Sequence, residues 1–236
     1  MAVATSSMCC CPACSADSAP ELSDILALVN LAGLLGKLGK VAKNPRQYAW
    51  VLETAVARVR GELYRHGYRV LTRGRVQIGR GFVAECPLHV SGPGRVTIGE
   101  GCRIRRSNLQ DVSIVTLGPD AEVSIGEQST MGGLRVRCAS KVTVGRLLLA
   151  AKTTITDTDV GVPGGPAVTG RPVTIGADCW LGVETTVLGG VTLGHNVVVS
   201  GGSVVNRDMP DHAMAMGNPA RPMLMTATQQ AAGGAK

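Results

Sequence analysis

Aromatic side chains are nearly missing: the 236 residues include one Phe, three Tyr and two Trp, 3% of the chain. A thick globular core normally recruits such rings for the area they bury. Their scarcity argues against one and favours a narrow interior of Val, Ile, Leu and small residues. No apolar run reaches the roughly 20 residues needed to span a bilayer; the stretch from Ile25 to Leu35 is broken by Asn30. The first twenty residues lack the continuous apolar core of a secretory signal, so a reducing, cytoplasmic location is expected. The net charge is +7, but the basic residues have no interleaved aromatics and no recognition motif. Nucleic acid is therefore not an expected partner. The arginines read either as a solvated outer surface or as attraction for a polyanionic ligand.

What the chain has instead is glycine, 31 residues, and a period of six. From Val173 to Asp208 an aliphatic residue opens each block: Ile175, Leu181, Val187, Leu193, Val199 and Val205. Six is too long for one strand and does not fit a 3.6-residue helix. Ungapped sixes are the signature of a parallel β-helix, in which three short strand-and-turn units make one triangular coil. Gly176, Gly182 and Gly194 follow opening aliphatics, where the chain is expected to bend through unusual φ. Upstream, the phrase Val-x-aliphatic-Gly ends at Gly79, Gly99, Gly126 and Gly145, and it recurs at Gly176 and Gly194. The spacings are close to three sixes, except for 99 to 126, which has room for an excursion, and 145 to 176, which must hold one. Thr97, Thr143, Thr174 and Thr192 share the x position and should form an outward ladder.

The flanks read differently. Residues 1–17, with the Cys9–Cys14 cluster, form an expected disordered tail; the cluster could bind metal or carry an acyl chain, but no zinc-type partner follows. Residues 18–69 are expected to be helical. A first helix starts at the Ser18–Glu21 capping box; its apolar face within 22–41 reads as packing on the solenoid or at a subunit contact, with a peripheral membrane contact as the alternative. A second starts at Asn44-Pro45, ends near Gly67 and repeats Ala49, Leu52, Val56, Val59 and Leu63 on one face. The β-helix is expected over 70–209, with an excursion loop at 156–172 marked by four glycines and three prolines. A closing segment and tail occupy 210–236. Cys102 and Cys179, each four residues after an opening aliphatic, read as small core residues; Cys86 and Cys138 have no partner evident from spacing.

RPVTIGADCWLG (171–182), GGSVVNRDMP (201–210) and GNPARP (217–222) resemble the hexapeptide-repeat acyltransferases, a family that includes maltose, galactoside, serine and antibiotic O-acetyltransferases. The resemblance covers roughly residues 75–222. It implies an all-β, left-handed parallel β-helix with an α-helical N-terminal cap, assembled as a homotrimer. Acetyl-CoA would be the acyl donor, held between subunits along the last coils, and a sugar or small-metabolite hydroxyl the acceptor. Carried over by position, Val183 and Gly201 would offer backbone groups to the pantetheine arm. Asn206 and Arg207 would stand near the adenosine phosphates, Arg221 would make a second phosphate contact, and Trp180 would line the groove.

The chain departs from the family at the general base. Such enzymes deprotonate the acceptor with a His that follows a phrase like Ile155-Thr-Asp-Thr-Asp159. Here Val160 and Gly161 come next, and neither accepts a proton. The four histidines, His66, His89, His195 and His212, have no spacing that requires them at a site. One reading is an acyltransferase using Asp157 or Asp159 as base; another is a non-catalytic CoA- or sugar-binding relative, or a structural partner of an active homologue. A carbonic anhydrase on the same helix would need three converging His, so no metal is expected.

Overall fold

The computed structural model describes residues 45–106, 111–158 and 170–224, with side chains from residue 53 to residue 223. The expected first helix, the Cys9–Cys14 cluster, the segment 22–41 and the last dozen residues lie outside the described residues. Among the described residues no helix is long and apolar enough to cross a membrane.

Among the described residues one helix, α1 (Pro45–Leu71), precedes twenty strands. They wind into six coils with three parallel faces. Face A stacks β1 (Val76–Ile78), β4 (Arg95–Ile98), β7 (Glu122–Ile125), β10 (Lys141–Val144), β13 (Val173–Ile175) and β16 (Thr192–Leu193). Face B stacks β2 (Val83–Ala84), β5 (Arg103–Ile104), β8 (Thr130–Gly132), β11 (Leu149–Ala151), β14 (Trp180–Leu181) and β17 (Val198–Val199), then β19 (Ala213–Gly217) and β20 (Ala220–Leu224). Face C stacks β3 (Leu88–Ser91), β6 (Val112–Thr116), β9 (Arg135–Cys138), β12 (Thr154–Thr156), β15 (Thr186–Val187) and β18 (Val204–Val205). This is the parallel solenoid expected from the sixes, and it is consistent with a left-handed β-helix.

The six opening aliphatics, Ile175 to Val205, are all buried. Each stacks on its equivalent one coil away, as in Ile175 on Leu193 and Leu181 on Val199. The bore is thus a column of branched side chains on each wall, which is why the composition needs so few rings. The x-position ladder forms in register, from Gln77 through Thr97, Ser124, Thr143 and Thr174 to Thr192. Cys102 and Cys179 are buried in the bore, with their thiols toward the carbonyls of Gly126 and Gly194.

The corner glycines do not adopt positive φ, contrary to the expectation from bending. What requires them is close approach of backbones. A Cβ on Gly176 would lie 2.4 Å from the carbonyl oxygen of Gly194, and one on Gly145 2.7 Å from the Ala177 nitrogen. The left-handed conformation falls two residues later, at Gly81, Gly101, Gln128, Leu147, Asp178 and Asn196.

Helix α1 also differs from expectation. It runs through Gly67 to Leu71, and the stripe read from sequence faces outward, with Val56 48% and Leu63 63% exposed. The face packed on the first coil is the neighbouring one: Ala57, Gly61, Tyr64 and Tyr68. Gly61 is required there because a Cβ would sit 1.9 Å from the Phe82 carbonyl oxygen. The Tyr68 hydroxyl donates to the Leu88 carbonyl (2.8 Å) and accepts from the Val90 N–H (3.3 Å), which draws the helix past Gly67. At the far end β20 pairs antiparallel with β19 and closes face B.

Candidate functional site

The corner between faces C and A gathers the base of the excursion. Inward–outward alternation along β12 places Ile155 in and Thr156 out, so Asp157 points into the bore. It is fully buried. Its Oδ1 accepts from the Ala139 N–H (2.7 Å), and its Oδ2 accepts from the Ser140 N–H (2.6 Å) and faces the Cys138 thiol (3.4 Å). These backbone donors belong to the corner one coil below. The Asp157 carbonyl accepts from the Arg171 N–H (2.7 Å), and Thr158 bridges Gly170. The chain is therefore pinned on either side of residues 159–169, and this pair of segments forms a neck. Gly170 fits there because a Cβ would come within 2.5 Å of the Ser140 Cβ. Burial, then the charge of Asp157, pushes the Cys138 thiol from 9.0 up to about 12.

These contacts set the two candidate bases apart. Asp157 is fully buried and both its oxygens accept backbone N–H groups. Asp159, Val160 and Gly161 lie outside the described residues. The Cys138–Asp157 pair was not anticipated from the sequence, although the alternation from Ile155 was a usable signal for the inward carboxylate. Asp208 does similar work two coils on, where its Oδ1 accepts from the Thr192 N–H (2.7 Å).

Asn206 and Arg207 sit at this same corner in the sixth coil, both exposed. Arg207 has no side-chain partner among the described residues. Val183 and Gly201 occupy the next corner, between faces B and C, one above the other: the Val183 carbonyl accepts from the Gly202 N–H (2.8 Å). Among the described residues the N–H groups of Val183 and Gly201 make no backbone hydrogen bond between coils. Beside them Glu184 pairs with Lys152, whose hydrogen bond and then charge hold the Glu184 carboxyl below its ordinary range. Trp180 is 53% exposed on the outer side of face B, aligned with Leu149 and Val198. Arg221 lies on β20, opposite Met216. The predicted residues that are described thus fall on two corners and one face.

No histidine stands at the neck among the described residues. His66 lies on α1, with Nε2 2.9 Å from the Arg65 guanidinium, and His89 lies on β3. His195 and His212 share the corner between faces A and B, where the Nδ1 of His195 accepts from the Ala177 N–H (3.0 Å). Among the described residues no three His, Cys, Asp or Glu side chains converge as a metal site would require.

The coils form a parallel β-solenoid, and the residues expected to hold an acyl donor lie on its last two coils and on the strands that close them. Over residues 172–207 the chain carries the family model described as the hexapeptide repeat of succinyl-transferase. The Staphylococcus aureus protein named "Putative acetyltransferase SAR2635" is 46% identical over 50 residues, 21% of this chain and 25% of that protein. The similarly named YJL218W of Saccharomyces cerevisiae matches at 46% over 50 residues, 21% of this chain and 26% of that one. The chain spans about a quarter of the length of the curated relatives it matches. Among solved structures, the hexapeptide-repeat acetyltransferase VCA0836 of Vibrio cholerae is 21% identical, with 72% of this chain and 91% of that one covered and a TM-score of 0.45. A galactoside acetyltransferase in complex with coenzyme A is 20% identical, with coverage of 71% and 79% and a TM-score of 0.41.

Proposed function

We propose that the chain is an acyl-CoA-dependent O-acyltransferase that moves an acetyl group from acetyl-CoA to a hydroxyl of a sugar or small metabolite. The observation that carries this reading is a coincidence of place. The segment that matches the hexapeptide-repeat model, 172–207, holds the Val183 and Gly201 N–H groups and Arg207, none of which has a bonding partner among the described residues. Two successive backbone donors suit the amides of a pantetheine arm, and an exposed guanidinium suits a phosphate. In the reaction the acceptor oxygen attacks the thioester carbonyl and its proton passes to a base. The carbon–sulfur bond then breaks and CoA leaves as the thiol. With Asp157 committed to the neck, Asp159 is the carboxylate left for the base.

The split of the candidate residues over separate corners favours a site completed by a second copy. The exposed apolar column Leu149–Trp180 on face B suits a contact between copies, and a homotrimer is the assembly proposed. The test follows thermal stability and thiol release with acetyl-CoA across a panel of hydroxyl acceptors. Stabilisation with thiol release that depends on an acceptor supports the enzyme, and no stabilisation removes the CoA assignment. The commitment of Asp157 favours a second reading, a CoA- or sugar-binding protein without turnover. Stabilisation without release would establish it, and activity gained by Val160→His would show that the pocket is intact and only the base is missing.

A further inference from the structure

At the opposite end of the stack, helix α1 and the first two coils of face B enclose a groove of about 410 Å³. Arg60 of α1 lines it together with Arg103, Arg105 and Arg106 of the second coil. Among the described residues two carboxylates, Glu53 and Glu85, share the groove with these four guanidinium groups. Glu85 is engaged, its Oε2 accepting from the Arg106 backbone N–H (3.1 Å). Glu53 faces the Arg106 side chain at 3.9 Å, with both largely in solvent, so that pair is weak.

The remaining three arginines are arranged rather than scattered. Arg60 is tethered by its Nη1 to the carbonyls of Glu85 (3.2 Å) and Ala84 (3.5 Å), contacts that fix the guanidinium without neutralising it. Arg103 and Arg105 alternate with the buried Ile104, so they project from the same side of the chain, roughly 7 Å apart by strand geometry. Neither has an acidic partner among the described residues. A concave wall with excess positive charge concentrates the field within it, and guanidinium forks match phosphoryl oxygens bidentately. Two forks at this spacing, with a third held on the facing helix, suit two adjacent phosphoryl groups better than one carboxylate. Val56 and Ala57 give the groove an apolar side, and its volume falls within the range of small-ligand sites.

We propose that this groove binds the pyrophosphate of a nucleoside diphosphate, as a site separate from the acyl-donor groove of the last coils. Because CoA itself carries an ADP-like moiety, the test must tell the two places apart. The full chain is titrated calorimetrically with ADP, UDP, inorganic pyrophosphate and adenosine at low ionic strength. The three pyrophosphate-bearing ligands should bind, adenosine should not, and added salt should weaken binding. Arg103→Gln/Arg105→Gln should weaken this binding step at least about tenfold, while Arg207→Gln/Arg221→Gln should keep the step and remove only any second one that belongs to the acyl-donor groove. Val56→Glu, at an exposed position, places a negative charge in the groove without touching the arginines and should abolish binding, so the proposal does not hang on one variant; circular dichroism melting checks that each variant folds. Binding lost in the Arg207/Arg221 variant but kept in the Arg103/Arg105 variant would assign ADP to the acyl-donor groove and overturn the proposal. Absence of binding by the unaltered chain would overturn it too.

Discussion

The carboxylate of Asp157 takes two backbone N–H groups from the coil beneath it and faces one thiol in the same buried corner. Replacing it with Ala leaves both donors stranded, at about 1–3 kcal/mol for each. Urea denaturation of Asp157→Ala should show that drop; Asp157→Asn should lose nearly as much, since its amide turns a donor toward a donor. Activity lost only in proportion to the folded fraction would separate this anchoring role from that of a base. The Cys138 thiol gives a second expectation at this scale. Its pKa is raised on folding, so the fold favours the neutral form. Its contribution is complete below the ordinary value of 9.0 and is lost as pH rises toward about 12. Alkaline unfolding should therefore begin above pH 9 and be shifted in Cys138→Ala. Burial raises the thiols of Cys86, Cys102 and Cys179 as well. Iodoacetamide at pH 8 should leave all four unmodified until denaturant is added, as read by mass spectrometry.

Among the elements, the corners divide their work between two positions, and only one was legible in advance. The close-approach glycines stand out because one residue type repeats at Gly126, Gly145, Gly176 and Gly194, though the bend explanation misread why. Gly176→Ala must push apart two coils and should lose about 1–3 kcal/mol or more, measured by equilibrium denaturation. The left-handed position two residues later is filled by Gly, Gln, Leu, Asp and Asn in turn, a mixture no single pattern reveals. Leu147 is the poorest of these, an exposed leucine at φ 58°. Leu147→Asn should raise stability by about 0.5–1 kcal/mol, because Asn tolerates that conformation far better. The α1 stripe misled for a related reason. Val56, Val59 and Leu63 have the right period, but a helix crossing a β-helix end needs small residues at the crossing, and Ala57 and Gly61 supply them.

At the scale of the whole molecule, the sixes encode the fold almost completely, because each residue's neighbour in space is its own equivalent one coil away. The candidate site is less legible for the opposite reason: its proposed residues come from two corners and a face, and period alone does not relate them. If the cleft forms between copies, dilution should weaken acetyl-CoA stabilisation, and light scattering should give three chains in the liganded state. Arg207→Gln should reduce the thermal shift without changing the unliganded midpoint, since its exposed side chain makes no hydrogen bond or ion pair among the described residues.

The register that sets Ile175 on Leu193 also makes the stack indifferent to its own height. Removing one full circuit, residues 176–193, would rejoin Ile175 to Gly194, the same kind of joint as before, and the shortened tower would close on the same lid. The two ends have no such freedom. The helix fits only the storey that carries Phe82, and β20 folds back only on β19. Length in this architecture can be edited from the middle, while both terminal storeys must be kept.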